Sequence, residues 1–386
     1  MVAILLLWLT FCILSLGVLG LNFLLMRRAA AKPWKLKINN SYFPTVTFLV
    51  PTYNESHTIH FKLKNLNKLD YPKDLIQIVV VDSNSNDHTV DLVNEFVKQH
   101  PELNIKVLKE SKREGKSAAL DSALNYAKGE LVIVSDADCF YPSDILWKSV
   151  PYLSDPKVGA ISGPKLLLNQ QSSKVVENEE HYLKSMNLIK LGESKKGFTP
   201  LFEGGFSAYR KTLLHSFDPY KTGSDDCGTV IKLAESSHSA LFVPEAAFFT
   251  TFPVMWKERL GIKIRRANQL LRVFGKYLGL FLRGRIQSGK RVILANILVY
   301  LFCPFFFVAF LVLTVASVIV YPYLALFMFL LLIPKIRSLL IEVFQSYAIL
   351  FFSVLAVMFR KNFLMWKQPL DRHLFTPELL EQHNLL

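Results

Sequence analysis

Residues 2–26 run without a single charged side chain, and a second apolar tract fills most of 292–359. About 25 apolar residues are enough to cross a bilayer core of roughly 30 Å as a helix. Whatever the middle of the chain builds is therefore tethered to a membrane at both ends. A secretory leader is disfavoured for the first tract, which lacks a basic start and a small-residue cleavage site and is too long. Arg27, Arg28, Lys32, Lys35 and Lys37 follow it directly, and the positive-inside rule then puts the next domain in the cytoplasm. Near the other end, 292–320 and 321–333 read as two spans or a tight hairpin, and 341–359 as a further one. Glu342, Gln345 and flanking basic residues leave two against three C-terminal spans open. The expected layout is an anchor at 1–28, a catalytic domain at 40–255, a basic amphipathic segment at 256–291, spans within 292–360 and a polar tail at 361–386.

The net charge of +14 would in a soluble protein suggest nucleic acid. Here the cations crowd into one place before the C-terminal spans: Lys257, Arg259, Lys263, Arg265, Arg266, Arg272 and Lys276, interleaved with Trp256, Leu260, Ile264, Leu270, Leu271, Phe274 and Leu278. That alternation suits a helix lying on anionic lipid. Membrane lipids, and no nucleic acid, are the expected partners. Of four cysteines, Cys12 and Cys303 fall in apolar tracts, while Cys139 and Cys227 stand beside acidic motifs without metal-ligand spacing. No disulfide framework or zinc site is implied.

The middle alternates short apolar runs with amphipathic ones. Strands are expected over 46–50, 76–81, 105–108 and 131–134, and helices from about Glu55, over 89–98 and over 116–127. This pattern predicts an α/β fold with a doubly wound, mostly parallel sheet. Ligands of such sheets sit outside the carboxyl ends of the strands. Polar residues cluster there: Pro51-Thr52-Tyr53-Asn54-Glu55, Asp82-Ser83-Asn84 and Asp136-Ala137-Asp138. Two acids at a strand end are as often a helix cap as a metal site. With Lys116 opening a helix after Arg113-Glu114-Gly115, the set also suits a diphosphate held with a hard divalent cation. No dinucleotide or Walker glycine motif occurs.

In order, VPTYNE, VVVDSNSND, REGKSAALDSAL, VSDADC, SDDCGTVIKL and RRANQLLR resemble the motifs of family 2, inverting, GT-A type glycosyltransferases. The resemblance is to their membrane-integrated branch, which includes cellulose, chitin and hyaluronan synthases. It covers roughly residues 45–272. It implies that Pro51, Tyr53, Glu55 and Asp82 surround the nucleotide base and ribose, that Lys116 meets the diphosphate, and that Asp136 faces the nucleotide. Asp138 would hold Mg²⁺ or Mn²⁺. Gly204 and Gly205, in LFEGGFSAYR, would lie near the acceptor with Asp225, and Asp226 would be the general base. Gln269 and Arg272 would complete the donor site, with Arg265 or Arg266 as the alternative basic residue.

The processive synthases follow the last arginine with tryptophan, whereas Val273 stands here, so an aromatic platform for a growing chain is missing. Single transfer from a nucleotide-diphospho-sugar, most simply a UDP-sugar, to a lipid-linked or glycan acceptor is the favoured reading. A small processive synthase, possible only with oligomerisation or more helices, and a catalytically inactive membrane scaffold are the alternatives. The histidines lack ligand spacing and read as structural. Residues 191–199, polar and glycine-containing, read as a mobile lid.

Overall fold

The computed structural model describes residues 2–170, 172–359 and 375–386. Nine strands form in chain order: β1 Val46–Thr52, β2 Ile76–Asp82, β3 Asn104–Lys109, β4 Leu131–Val134, β5 Val158–Ser162, β6 Lys165–Leu167, β7 Ser207–Arg210, β8 Ser239–Phe242 and β9 Phe248–Thr250. Seven of them make one sheet in the order β3-β2-β1-β4-β7-β5-β8, and β6 pairs with β9 separately. All pairs are parallel except those of β7 with β4 and β5. The expected mostly parallel sheet is therefore present, with one reversed strand that short-range patterning did not reveal.

Every residue of β2 is buried, as a parallel strand covered on both faces requires. Alternate residues of the central strands then feed two cores. Phe48, Val50, Ile78, Val80 and Ile133 pack on one side. Leu49, Val79, Val81, Val132 and Val134 pack on the other, against Ala119 and Leu120 of the helix Lys116–Leu124. Val273, Phe274, Tyr277 and Leu280 of the helix Trp256–Leu282 join this second core. The segment 256–291 thus buries Leu271 and Phe274 in protein rather than leaving them for lipid, and Arg259 is buried with them.

Among the described residues, three helices are long and apolar enough to cross a membrane: Val2–Ala30, Lys290–Val320 and Leu340–Val357. Between the last two, Pro322–Leu332 winds as a 3₁₀ helix, so the C-terminal half contributes two such helices. Phe375, Leu380 and Leu385 are buried against Phe140 and Leu168, and Asn65 Nδ2 donates to the Leu385 carbonyl at 2.7 Å. The last described residues thus pack on the same body that carries the seven-stranded sheet. Residues 360–374, including the expected Arg360-Lys361 stop, lie outside the described residues.

The proposed lid is corrected by the structure. Gly192, Glu193 and Ser194 lie inside the helix Lys174–Lys195 and are buried, and Phe198 and Thr199 are buried beyond its end. Their polarity is matched internally: Glu193 accepts from Thr199 Oγ1 and from Asn296 Nδ2, each at 2.6 Å. Gly192 lets this helix meet the N-terminal one, since a Cβ there would lie 2.2 Å from the Met26 carbonyl oxygen. Polar composition alone suggested a loop, while tertiary partners made it a junction.

Candidate active site

Strand order reverses between β1 and β4, because β2 and β3 continue to one side and β4 starts the other. The crevice at such a switch point lies at the carboxyl ends of these strands. Register brings those ends together, pairing Thr52 with Asp82 and Leu49 with Val134. A cavity of about 600 Å³ opens there, lined at this end by Pro51, Tyr53, Glu55, Arg113, Lys116, Asp136, Asp138, Asp225 and Asp226. Gly115 takes a φ of +105° just before the helix bearing Lys116, a backbone state that glycine adopts without strain.

Lys116 ties the site together. Its Nζ lies 2.6 Å from Asp136 Oδ1 and 2.7 Å from Asp225 Oδ2. Burial alone would weaken the ammonium, but Asp136 and Asp225 outweigh it and hold the pKa well above the ordinary lysine value. Asp226 accepts from Ser224 Oγ and, at 2.6 Å, from the Cys227 amide. Burial, then the neighbouring Asp225 charge, raise its pKa, which is the direction a proton acceptor working near neutrality needs. Gly204 makes the convergence feasible: a Cβ there would lie 3.0 Å from Lys116 Nζ, 3.5 Å from Asp136 Oδ2 and 3.6 Å from Asp226 Oδ2.

Asp136, Asp138 and Cys139 bring ligand atoms within 4.8 Å of one another. Burial, then Asp138 and Asp136, push the Cys139 thiol well above its usual pKa. Burial, then Asp136, raise Asp138 as well, as expected of two carboxylates waiting for a cation. Asp136 and Asp138 offer a pair of hard oxygen donors, which fits a divalent cation such as Mg²⁺ or Mn²⁺.

Not every expected residue reaches the cavity. Asp82 is 1% exposed, accepts from Thr52 Oγ1 at 3.2 Å and from the Ser85 amide at 2.9 Å, and leaves the lining to Ser83. Gln269 lines the cavity and donates to the Gly223 carbonyl at 2.5 Å. Arg272 does not line it and donates through Nε to Asn268 Oδ1 at 3.1 Å, whereas Arg265 and Arg266, the alternatives, both do. Gly204 and Gly205 are on the wall. Sequence reasoning missed Arg113, whose guanidinium stacks 3.9 Å from the Tyr53 ring centroid, and it missed Lys165, Lys190 and Glu203. Glu203 was adjacent to a quoted glycine pair and was the one signal available.

The cavity continues away from the strand ends past Tyr182, Leu183, Met186, Ile262 and Leu270 to Tyr300, which belongs to the apolar helix Lys290–Val320. One space thus joins the acidic cluster to a membrane-type helix.

Residues 47–217 match the family described as Glycosyl transferase family 2. A mannosyltransferase from Pyrobaculum calidifontis, solved in complex with GDP-Man and Mn²⁺, is 29% identical and superposes with a TM-score of 0.78, over 92% of this chain and 99% of that one. Among curated proteins, the beta-monoglucosyldiacylglycerol synthase of Synechocystis sp. is 34% identical over 128 residues, 33% of this chain and 27% of that protein. The poly-beta-1,6-N-acetyl-D-glucosamine synthase of Staphylococcus epidermidis is 26% identical over 222 residues, 56% of this chain and 53% of its own. The matches with these two curated relatives thus span about a quarter and about half of their length.

Proposed function

Because residues 47–217 form a family 2 glycosyltransferase domain, we propose that this chain transfers one sugar, with inversion, from a nucleoside-diphospho-sugar to an acceptor presented at the membrane. The observation that carries the reading is the single cavity in which Lys116 bridges Asp136 and Asp225, beside Asp226. The nucleotide base lies between Pro51, Glu55 and the Tyr53–Arg113 stack. Lys116 exchanges a carboxylate for the diphosphate, since a phosphate presents more charge to the same ammonium.

Asp226 takes the proton of the acceptor hydroxyl as its oxygen attacks the anomeric carbon, and the bond to the diphosphate breaks on the opposite face. A divalent cation held by Asp136 and Asp138 would supply charge neutralisation to the departing diphosphate. Gly204 and Gly205 keep the floor of the site low enough for the acceptor to approach. The catalytic domain faces the cytoplasm, by the basic cluster that follows the first apolar helix.

The continuity of the cavity with Tyr300 supports a lipid-linked acceptor. Uridine was the expected base, but the likeness to the mannosyltransferase solved with GDP-Man extends over 92% of the chain, so GDP-mannose is the first donor we assign. The test is nucleoside diphosphate release by the full-length protein in nanodiscs, with GDP-mannose and a panel of UDP-sugars, Mn²⁺ or Mg²⁺, and lipid acceptors. Metal-dependent release from one donor, lost in Asp226→Asn, supports the reading. Absence of both release and calorimetric nucleotide binding across the panel would favour an inactive membrane scaffold.

A further inference from the structure

Two polar side chains are buried directly behind the acidic pair. Lys62 and Asn65 stand three apart on the helix Ile59–Asn67, a spacing that puts both on one face, and they are 0% and 1% exposed. A lysine is almost never so completely buried without a partner. Lys62 Nζ donates to the Cys139 carbonyl and lies 3.7 Å from the centroid of the Tyr141 ring. Asn65 grips the chain two residues further on: its Oδ1 accepts from the Tyr141 amide and its Nδ2 donates to the Tyr141 carbonyl, each at 2.8 Å. Both side chains thus serve the loop that leaves β4 with Asp136 and Asp138.

Tyr141 closes that loop. Its hydroxyl lies 2.6 Å from both Ser135 Oγ and the Gly205 carbonyl. Having one proton, it donates to the carbonyl, which can only accept, and accepts from the serine. The residue before the acidic pair, the end of the loop and the glycine wall are therefore joined through one ring. Groups behind a metal site orient its ligands and set its affinity, and these are such groups.

The remaining proton of Asn65 Nδ2 leads elsewhere. It goes to the Leu385 carbonyl at 2.7 Å, so one amide group holds both Tyr141 and the segment 375–386. That segment also touches the two residues that fasten the loop to β9. Phe140 and Phe249 exchange backbone hydrogen bonds of 2.8 Å. The Phe375 ring packs 5.4 Å from Phe140, and the His383 ring 5.5 Å from Phe249. Phe249 is followed by Thr250, on the cavity wall.

We propose that residues 375–386 brace the candidate metal site: docked on Asn65, they hold the acidic loop in the geometry that a divalent cation needs, so that docking and cation binding strengthen one another. Asn65 is the positioning residue through which the two communicate. The inference rests on Asp136 and Asp138 receiving the cation, as in the transfer reading, and adds to it a segment far from the reacting atoms. Linkage makes the effect reciprocal, so the factor that docking contributes to cation affinity is the factor that the cation contributes to docking.

The test is Mn²⁺ binding, followed by electron paramagnetic resonance of the full-length protein in nanodiscs, alone and with GDP or UDP, without a sugar donor. Leu380→Ala, which loosens the docked segment, is expected to weaken Mn²⁺ binding at least fivefold. Asn65→Leu, which removes all three amide hydrogen bonds, should do the same. The double variant should bind within twofold of Asn65→Leu alone, because the segment acts through that amide. Gly192→Val disturbs a different junction and should leave Mn²⁺ affinity within twofold of wild type, which separates bracing from a general loss of stability. In the wild type, where no variant can misfold, Mn²⁺ should slow hydrogen exchange of the 379–385 amides at least threefold. Unchanged Mn²⁺ affinity in both Leu380→Ala and Asn65→Leu, or exchange at 379–385 indifferent to Mn²⁺, overturns the proposal while cation binding and the transferase reading stand. A wild type that binds no Mn²⁺ under any of these conditions overturns the proposal and the cation assignment together.

Discussion

Glu193 offers a quantitative test of the junction between catalytic domain and membrane helices. It is fully buried, and burial lifts its carboxyl from 4.5 to about 7, against the opposing hydrogen bonds from Asn296 and Thr199. The folded protein therefore binds this proton more tightly than the unfolded chain. Below the unfolded value near 4.5 the group costs nothing. As pH rises from there toward 7 stability is lost, and above about 7 the loss is constant. A difference of about 2.5 pKa units corresponds to about 3 kcal/mol.

Glu193→Gln removes the charge while keeping an oxygen for Asn296 and an amide for the Thr199 hydroxyl. Subtracting wild-type from variant stability isolates this one group, because every other titrating residue is shared. Thermal unfolding in detergent, followed at half-unit steps from pH 4.5 to 8, is the assay. The variant should match the wild type near pH 4.5 and exceed it by about 3 kcal/mol at pH 8, an upward shift in Tm on the order of 5–10 °C. A gap that does not change with pH would refute the reasoning, and so would a variant less stable than the wild type at pH 8.

Three other outcomes follow from the geometry. Gly192→Val drives a side chain into the Met26 carbonyl and should destabilise the protein by roughly 1–3 kcal/mol or more, read as a lowered Tm with the N-terminal helix newly open to protease. Gly204→Ala crowds Lys116, Asp136 and Asp226; transfer should fall at least tenfold while Tm moves little, because Lys116 can yield, and unchanged kcat/KM would contradict the convergence described. Leu380→Ala empties a fully buried site against Phe140 and should cost about 2–5 kcal/mol by denaturant unfolding, whereas an unaltered midpoint would mean that the tail is not docked in solution.

Much of this was legible beforehand because short-range rules govern it. Strands ending in polar residues place Tyr53, Asp136 and Lys116 at one edge whatever the rest of the chain does. Arg272 lies off the cavity lining for a helical reason. Each residue of the helix Trp256–Leu282 turns about 100° from the last, and only packing against the core decides which side faces the cavity. That choice sent Val273 and Phe274 inward and Arg265 and Arg266 to the lining. Asp82 is held off the lining by a local partner, Ser85, whose amide and hydroxyl donate to it. Glu193 fell within the expected lid and Glu203 drew no role, since their partners Asn296, Lys165 and Lys190 are brought to them only by the fold. The tail read as polar and free for the same reason.

That docked tail has a consequence for how the enzyme comes into being. Synthesis proceeds from the N-terminus at roughly 5–20 residues per second, so the seven-stranded sheet can form long before residues 375–386 emerge. Phe140 lies two positions after Asp138, and until then it shares an uncovered apolar patch with Leu168 and Phe249. Both later apolar helices must be made before Leu380 and Leu385 can close it. Closing of the surface behind the acidic pair therefore has to wait for residues 375–386, and a chain in which Leu380 and Leu385 do not dock leaves Phe140 and Leu168 as an exposed apolar patch.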